Sequence, residues 1–433
     1  MKGDFTRDTF DPRNNYTTVL MQQGRVQVDA DWNEQAAIAR HQLRTFIADI
    51  VGPHGGPRAD GDGGFKIAVT ADGELVVGPG RYYVGGLMCE NDAAVNYTTQ
   101  PGYPFDGEPT PDQLHAPGES LLYLDVWERH VSSFERPDRE VALDGPDTAT
   151  RAQTVWQAKV LLPEDGRTPH DYAAATNLPA HGSGTMRART AGYLGVENQL
   201  YRVEIHRGGT ARGDAATGGA TFKWSRANGS VAFPILRRTD APGTVTVRLG
   251  PRGTDRRLPL NPGDWVELSD DTTVLGAGHP PLLAVASVDH HELDVVLTGT
   301  LSSTVADDQS RHPLLRRWDH DGGPANGDEG ALLVVESADD TGWIDLEGGI
   351  QIHFPHAAGN TYRTGDYWLV PARTTTADIE WPTTTDATGT HWPAALPPRG
   401  ITHHYAPLAV IMSDAMGGFS VKSDCRRLFS APP

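Results

Sequence analysis

Residues 65–86 read FKIAVTADGELVVGPGRYYVGG, and this stretch decides the fold class. Two short runs rich in β-branched and apolar residues, 65–69 and 74–77, flank Asp72-Gly73, a dipeptide suited to a tight hairpin turn. Arg81-Tyr82-Tyr83-Val84 continues the pattern, and Gly85-Gly86 supplies the next turn. The same grammar recurs downstream. Strands are expected at 121–127, 154–162, 200–205, 221–224, 231–235, 244–249, 265–268, 282–288, 293–297, 331–335, 349–354, 366–370, 405–411 and 419–421, separated by turn-forming residues. Long connections fall at 101–119, 163–193, 207–218, 301–313 and 373–400, lengths that usually carry function or lack fixed structure.

Upstream of residue 65 the pattern changes. Asp31 followed by Glu34 has capping-box spacing. Ala36, Ala39, Leu43, Phe46, Ile47 and Ile50 then share one face of a helix, with Arg40, Arg44 and Asp49 away from it. Gly52-Pro53-His54-Gly55-Gly56-Pro57 ends it. No heptad pattern argues for a coiled coil. Residues 1–30 are polar with spaced anchors (Phe5, Phe10, Tyr16, Val19, Leu20, Met21), and Val26 and Val28 alternate as a short strand would. The expected fold is mainly β: an extended N-terminal arm and one helix (1–57), followed by small antiparallel sandwich-like or barrel-like modules at 58–193, 194–300 and 301–433. Gly263-Asp264-Trp265 and Gly365-Asp366-Tyr367 each open an aromatic strand, a weak sign of related modules or a common way to begin a strand.

The chain has 433 residues, with 48 glycines and 32 prolines spread along it, which suits many strands joined by turns. It carries 37 basic and 56 acidic residues, net −19, a surface that repels nucleic acid and anionic membranes. The basic residues are nearly all arginine, which favours planar bidentate contacts and interfaces. Cys89 and Cys425 are too few and too far apart for a disulfide framework or a paired-cysteine metal site. The N-terminal residues lack the apolar run of a signal peptide, and no stretch reaches membrane-spanning length.

Signatures of catalysis are missing: there is no GxSxG elbow, phosphate-binding loop, dinucleotide fingerprint, HExxH or calcium loop. Asp270-Asp271 and Asp339-Asp340 could suggest acid–base pairs, but adjacent strand residues face opposite ways, and aspartates in turns are commonly solvated. His353 and His356 with His403-His404 could converge on a metal, and His290-His291 falls in a hairpin turn; rim histidines are the plainer reading. Nine of the ten tryptophans follow the helix, and their apolar surroundings favour packing over sugar stacking. The expectation is therefore no catalytic residue, no metal and no cofactor.

The arm offers an interface instead. Gly24 permits a bend after Gln22-Gln23. Arg25, Asp29 and Asp31 could form ion pairs that lock arm to helix or to a neighbour, and Asn33 and Glu34 are polar groups of the first turn. With Phe5, Phe10, Tyr16 and Trp32, these residues make up the candidate docking surface.

The run Met1-Lys2-Gly3-Asp4-Phe5-Thr6-Arg7-Asp8-Thr9-Phe10, continuing through residues 21–35 (MQQGRVQVDADWNEQ), resembles the start of DUF6519-type proteins. So do residues 139–151, 221–230 (TFKWSRANGS), 362–373 (YRTGDYWLVPAR) and 400–409 (GITHHYAPLA). The arm is also similar to N-terminal regions of phage baseplate and tail-fibre proteins. The resemblance implies an association with phage-tail-like contractile injection systems, since family members occur beside their genes. It implies a structural part, baseplate-associated or a short fibre, whose partners are other subunits of the particle. Fibre-like parts suggest a homo-oligomer, a trimer by habit, and neither nucleic acid nor membrane insertion is expected. Synthesis and assembly would be in the bacterial cytoplasm, with extracellular exposure after particle release. A cargo or effector protein and a carbohydrate-binding β protein are the alternatives. Some relatives carry a further C-terminal module, and this chain ends at Pro433 without one.

Overall fold

In the computed structural model, residues 1–58, 63–100, 103, 114–135, 148–162, 182–211, 219–250, 259–276, 278–301, 304–321, 330–339, 341–385 and 389–430 are described. Residues 139–147 of the resembling stretch, Asp340, and most of the expected loops 101–119 and 163–193 lie outside them. The protein is mainly β, with antiparallel sheets and two α-helices among the described residues. It divides into two compact units, each assembled from three separate stretches of chain.

The first unit gathers Met1–Asp8, His130–Arg151 and His181–Ile401. It holds a closed barrel of six antiparallel strands: Ala232–Ala241, Thr244–Leu249, Asp294–Thr298, Leu282–Asp289, Trp265–Ser269 and Leu314–Trp318, the last pairing back onto the first. Strict alternation builds it. In Thr244-Val245-Thr246-Val247-Arg248-Leu249 every second side chain is buried, and Val245, Val247, Leu249, Phe233, Val266, Leu268, Val295, Leu297 and Leu315 fill the interior. A five-stranded antiparallel sheet runs Leu332–Leu333, Thr221–Ser225, Gln199–Arg207, Tyr367–Arg373, Asp378–Ile379. One face carries Tyr201, Val203, Ile205, Phe222, Trp224, Trp368 and Val370, all in one apolar core.

The second unit gathers Thr9–Arg129, Ala152–Ala180 and Thr402–Pro433. The hairpins expected at Asp72-Gly73 and Gly85-Gly86 are present, as Ile67–Val69 with Leu75–Val77 and Gly80–Val84 with Leu87–Asn91. A four-stranded sheet runs Phe419–Asp424, His404–Ser413, Gly118–Val131, Arg151–Leu161. Leu122, Leu124 and Val126 share a core with Phe65, Tyr82, Ala406, Leu408 and Ile411. The helix Asp29–Val51 lies against strands His54–Pro57 and Gly80–Val84. Gly86 has φ +78°, and a Cβ there would stand 2.6 Å from the Arg44 carbonyl oxygen, so the turn meets the helix backbone directly.

Three local expectations are corrected. The helix begins at Asp29 with Val28 as cap and no side-chain capping bond, so Asp31 and Glu34 lie inside it and form no capping box. Residues 26–28 pair with no strand. Leu314–Trp318, expected as neither strand nor loop, closes the barrel.

Candidate docking surface

The helix decides what the N-terminal region can offer. On its inward side Ala30 and Ile38 are buried, and Ala37, Arg44, Ile47, Ala48 and Val51 are half-buried. The Arg44 backbone meets the Gly86 turn. Arg44 also holds Glu128 at 2.5 Å. The stripe that reads as a core face therefore points outward, except for Ile47, which is half-buried. Trp32 is 79 % exposed, Leu43 59 %, Phe46 63 % and Ile50 70 %, with Ala36 and Ala39 exposed between them. At 100° per residue these six cluster on one side, opposite Ala30, Ala37, Ile38 and Ala48.

The arm reaches the helix through polar contacts and one ring. Thr9 Oγ1 donates to Glu34 at 2.8 Å. The Gln35 side-chain oxygen Oε1 accepts from Thr18 Oγ1 at 2.8 Å and from the Val19 amide at 2.7 Å. Phe10 lies 5.6 Å from the His41 ring. Among the described residues no ion pair joins Arg25 or Asp31 to the helix or the arm. Gln22, Gln23 and Gly24 are exposed in a turn, with Gly24 at φ +70° and the Arg25 amide on the Gln22 carbonyl. Asp29 and Asn33 are exposed on the first turn of the helix. Tyr16, Leu20, Met21, Val26 and Val28 are all exposed. Of the large exposed apolar side chains described, nearly half lie between Tyr16 and Ile50.

The first eight residues are instead seated in their own unit. Glu204 and His206 lie with Arg202 on the face of Gln199–Arg207 opposite the apolar core, and pairing places Lys223 and Tyr367 beside Glu204. Lys2 reaches this face, 3.0 Å from Glu204 and 3.8 Å from Glu267. Arg202 lies 2.5 Å from Glu204 and stacks 3.5 Å over the Tyr367 ring. Lys223 pairs with Glu267, which also accepts from the Trp318 indole at 3.0 Å. Arg202, Glu204, Lys223 and Glu267 are each at most 4 % exposed. Burial alone would raise both carboxyls, yet Lys2, Lys223 and, at Glu204, Arg202 hold them below the usual range. Burial lowers Lys2 to about 8 against the pull of Glu204 and Glu267, and keeps His206 neutral by lowering it to about 2. Asn228, at φ +49°, donates to the Gly3 carbonyl at 2.9 Å and accepts the Gly3 amide at 3.3 Å. Arg7 pairs with Glu380 and Arg399 with Asp8. Phe5 is half-buried on this seated stretch. Alternation in YRVEIH had no signal that its polar face would be covered rather than solvated.

The other candidates resolve into local structure. Asp270 caps the short helix Asp271–Leu275 and accepts the Ala306 amide; Asp271 pairs with His312. Asp339 accepts from Ser337 and Thr341 in a turn. His353 contacts the Asp339 carbonyl and His356 contacts Glu336, while His403 pairs with Asp125 in the other unit. His291 is solvent-exposed beside Glu292. Among the described residues no group of three or more His, Cys, Asp or Glu is placed to hold a metal. Gly263 and Gly365 both take positive φ, so the echoed motif is a shared turn; it leads into a barrel strand in one case and an open sheet in the other. Only Trp32 and Trp392 among the tryptophans are exposed.

Stretches 1–5, 221–230 and 362–373, which carry the resemblance, converge on this one buried cluster through Lys2, Lys223, Asn228 and Tyr367. No curated protein and no solved structure resembles the chain at a significant level. The sequence model of a family of unknown function, DUF6519, matches residues 1–177 and 167–431, nearly the whole length, and the chain belongs to that family.

Proposed function

We propose that this protein is a non-catalytic structural subunit of a phage-tail-like contractile injection particle, baseplate-associated or part of a short fibre. It docks on other subunits through the arm and helix between Tyr16 and Ile50. The observation that carries the reading is the outward apolar row Trp32, Leu43, Phe46 and Ile50 beside an arm that exposes Tyr16, Leu20 and Val26. An apolar surface this concentrated is the usual mark of a protein contact. The resemblance of the arm to baseplate and tail-fibre proteins supplies the kind of assembly.

The test is incorporation. Leu43→Glu with Phe46→Glu changes only exposed side chains, so the purified variant keeps its circular dichroism and melting temperature while disappearing from particles assembled in its presence. Normal incorporation of that variant overturns the docking surface. Quantitative mass spectrometry of purified particles adds the second measurement. A fixed copy number that matches the particle symmetry is expected, and a variable copy number would make the protein a cargo instead.

A further inference from the structure

The outward row has a finer pattern than exposure alone. Trp32, Ala36, Ala39, Leu43, Phe46 and Ile50 follow one another at intervals of four, three, four, three and four. The row is too short for the sustained heptads of a coiled coil, but its spacing is that of a seam through which one helix packs on another with a left-handed crossing. All six are exposed, and the face opposite them is the one the helix uses within its own unit. The occupant suited to this seam is therefore a helix, which a loop or a flat sheet does not match.

The sizes along the seam identify the helix. Turned end for end about its middle, the row sets Trp32 against Ile50, Ala36 against Phe46, and Ala39 against Leu43. Each of the two alanines receives a large side chain, the alternation of large and small that close packing of two helices needs. Placed parallel and in register, the row sets alanine on alanine in two consecutive layers and tryptophan on tryptophan at one end, which leaves a gap beside a wedge. The seam is thus complementary to itself in the antiparallel sense alone, the property of a two-fold contact between identical chains.

We infer that two copies of this protein pair through antiparallel Asp29–Val51 helices. The inference rests on the reading of this face as a docking surface and names its first occupant. The area is sufficient. Large aromatics bury about 150–250 Å² each, so the exposed parts of Trp32, Phe46 and Tyr16 alone supply roughly 400 Å² per copy. Leu43, Ile50, Leu20 and Val26 bring the total toward the ~800 Å² per partner of a stable interface. Thr18 and Val19 bond Gln35, on the shoulder of the seam, which places the arm beside it. The unit of assembly is then two copies rather than three. Arg40, on the opposite shoulder, faces its own copy across the axis, and each chain carries −19 overall. Charge therefore opposes the pair, and added salt strengthens it by screening.

Sedimentation equilibrium of the full chain tests this. A reversible monomer–dimer equilibrium that shifts toward dimer as salt is raised is expected, and Leu43→Asp leaves only monomer. Direction is read by cross-linking in a Cys425→Ser background. Mixed Ala39→Cys and Leu43→Cys chains form the mixed disulfide in preference to either like pair. A chain that is monomeric at every concentration overturns the inference, as does cross-linking dominated by like pairs. Failure here is distinct from failure of the docking reading. A monomer that still requires Leu43 to join particles overturns self-pairing alone. A helix-mediated dimer whose Leu43→Asp variant enters particles normally overturns the docking role and leaves the pairing in place.

Discussion

Glu267 shows how much one side chain can hold in this protein. It is 2 % exposed and answers Lys223, Lys2 and the Trp318 indole at once. Glu267→Gln keeps the shape and removes the charge, leaving the buried Lys223 and half-buried Lys2 ammonium groups with one carboxylate between them. Breaking a buried pair from one side costs about 3–5 kcal/mol, so the variant should unfold at markedly lower denaturant concentration than the native chain. The same residue fixes a pH dependence. Its folded-state value is depressed, as is that of Glu204. The stability they contribute is therefore fully present above the ordinary glutamate value of about 4.3. It is lost as the pH falls below that value through the folded-state ones, because the unfolded chain takes up the protons first. Acid unfolding followed by tryptophan fluorescence should show a shallower dependence below pH 4.3 in Glu267→Gln. An identical slope in the two proteins would remove the pair from the account of acid stability.

At the scale of the element, the helix Asp29–Val51 separates what periodicity reveals from what it does not. Spacing gave the helix and its end at Gly52, because glycine there takes φ +86°. It also gave the apolar face of Ala36, Ala39, Leu43, Phe46, Ile47 and Ile50, of which Ile47 alone is half-buried. It could not tell whether that face turns inward, since a face for a partner and a face for a core have the same composition. The side that turns inward carries Ala30 and Ile38, with Ile47 half-buried, and the Arg44 backbone meets the Gly86 turn. The strand Gln199–Arg207 is the converse case: its alternation was legible, but its polar side, covered by Lys2 and Glu267, read like any solvated face. A pair of substitutions tests the orientation of the helix. Ile38→Ala removes a side chain that is 1 % exposed and should cost about 2–5 kcal/mol. Leu43→Ala, about four tenths of a turn away in projection, should change the stability of the monomer by no more than about 0.5 kcal/mol. Chemical denaturation at low protein concentration measures both, and equal losses would contradict the orientation.

At the scale of the whole molecule, local signals located most of the longer strands but not Leu87–Asn91, Leu314–Trp318 or the short strands inside the expected loops 163–193 and 373–400, and strand partners were beyond reach of the sequence. The turn at Asp72-Gly73 names its own two strands, but His404–Ser413 pairs with Gly118–Val131 across most of the chain. His403 and Asp125, joined at 2.7 Å, are 278 positions apart. No property of either segment alone selects the other; the match lies in buried area that exists only once both are in place. The consequence is that residues 402–430 are structural members of the second unit rather than a tail. They supply Ala406, Leu408, Ala409 and Ile411 to the core that contains Leu122, Leu124 and Val126. They also supply Leu428–Phe429, which pairs with His54–Pro57. A chain stopped after Ile401 would expose that core and leave the Gly118–Val131 backbone without its partner. The barrel and the five-stranded sheet draw every strand from residues 187–379 and lose nothing. Hydrogen exchange of the truncated protein should therefore show protection abolished over residues 65–91 and 118–129 and retained over 232–318. Protection kept throughout both regions would mean that the second unit can close its core without its C-terminal strands, against the pairing of Leu122 and Leu124 with Ala409 and Ala406.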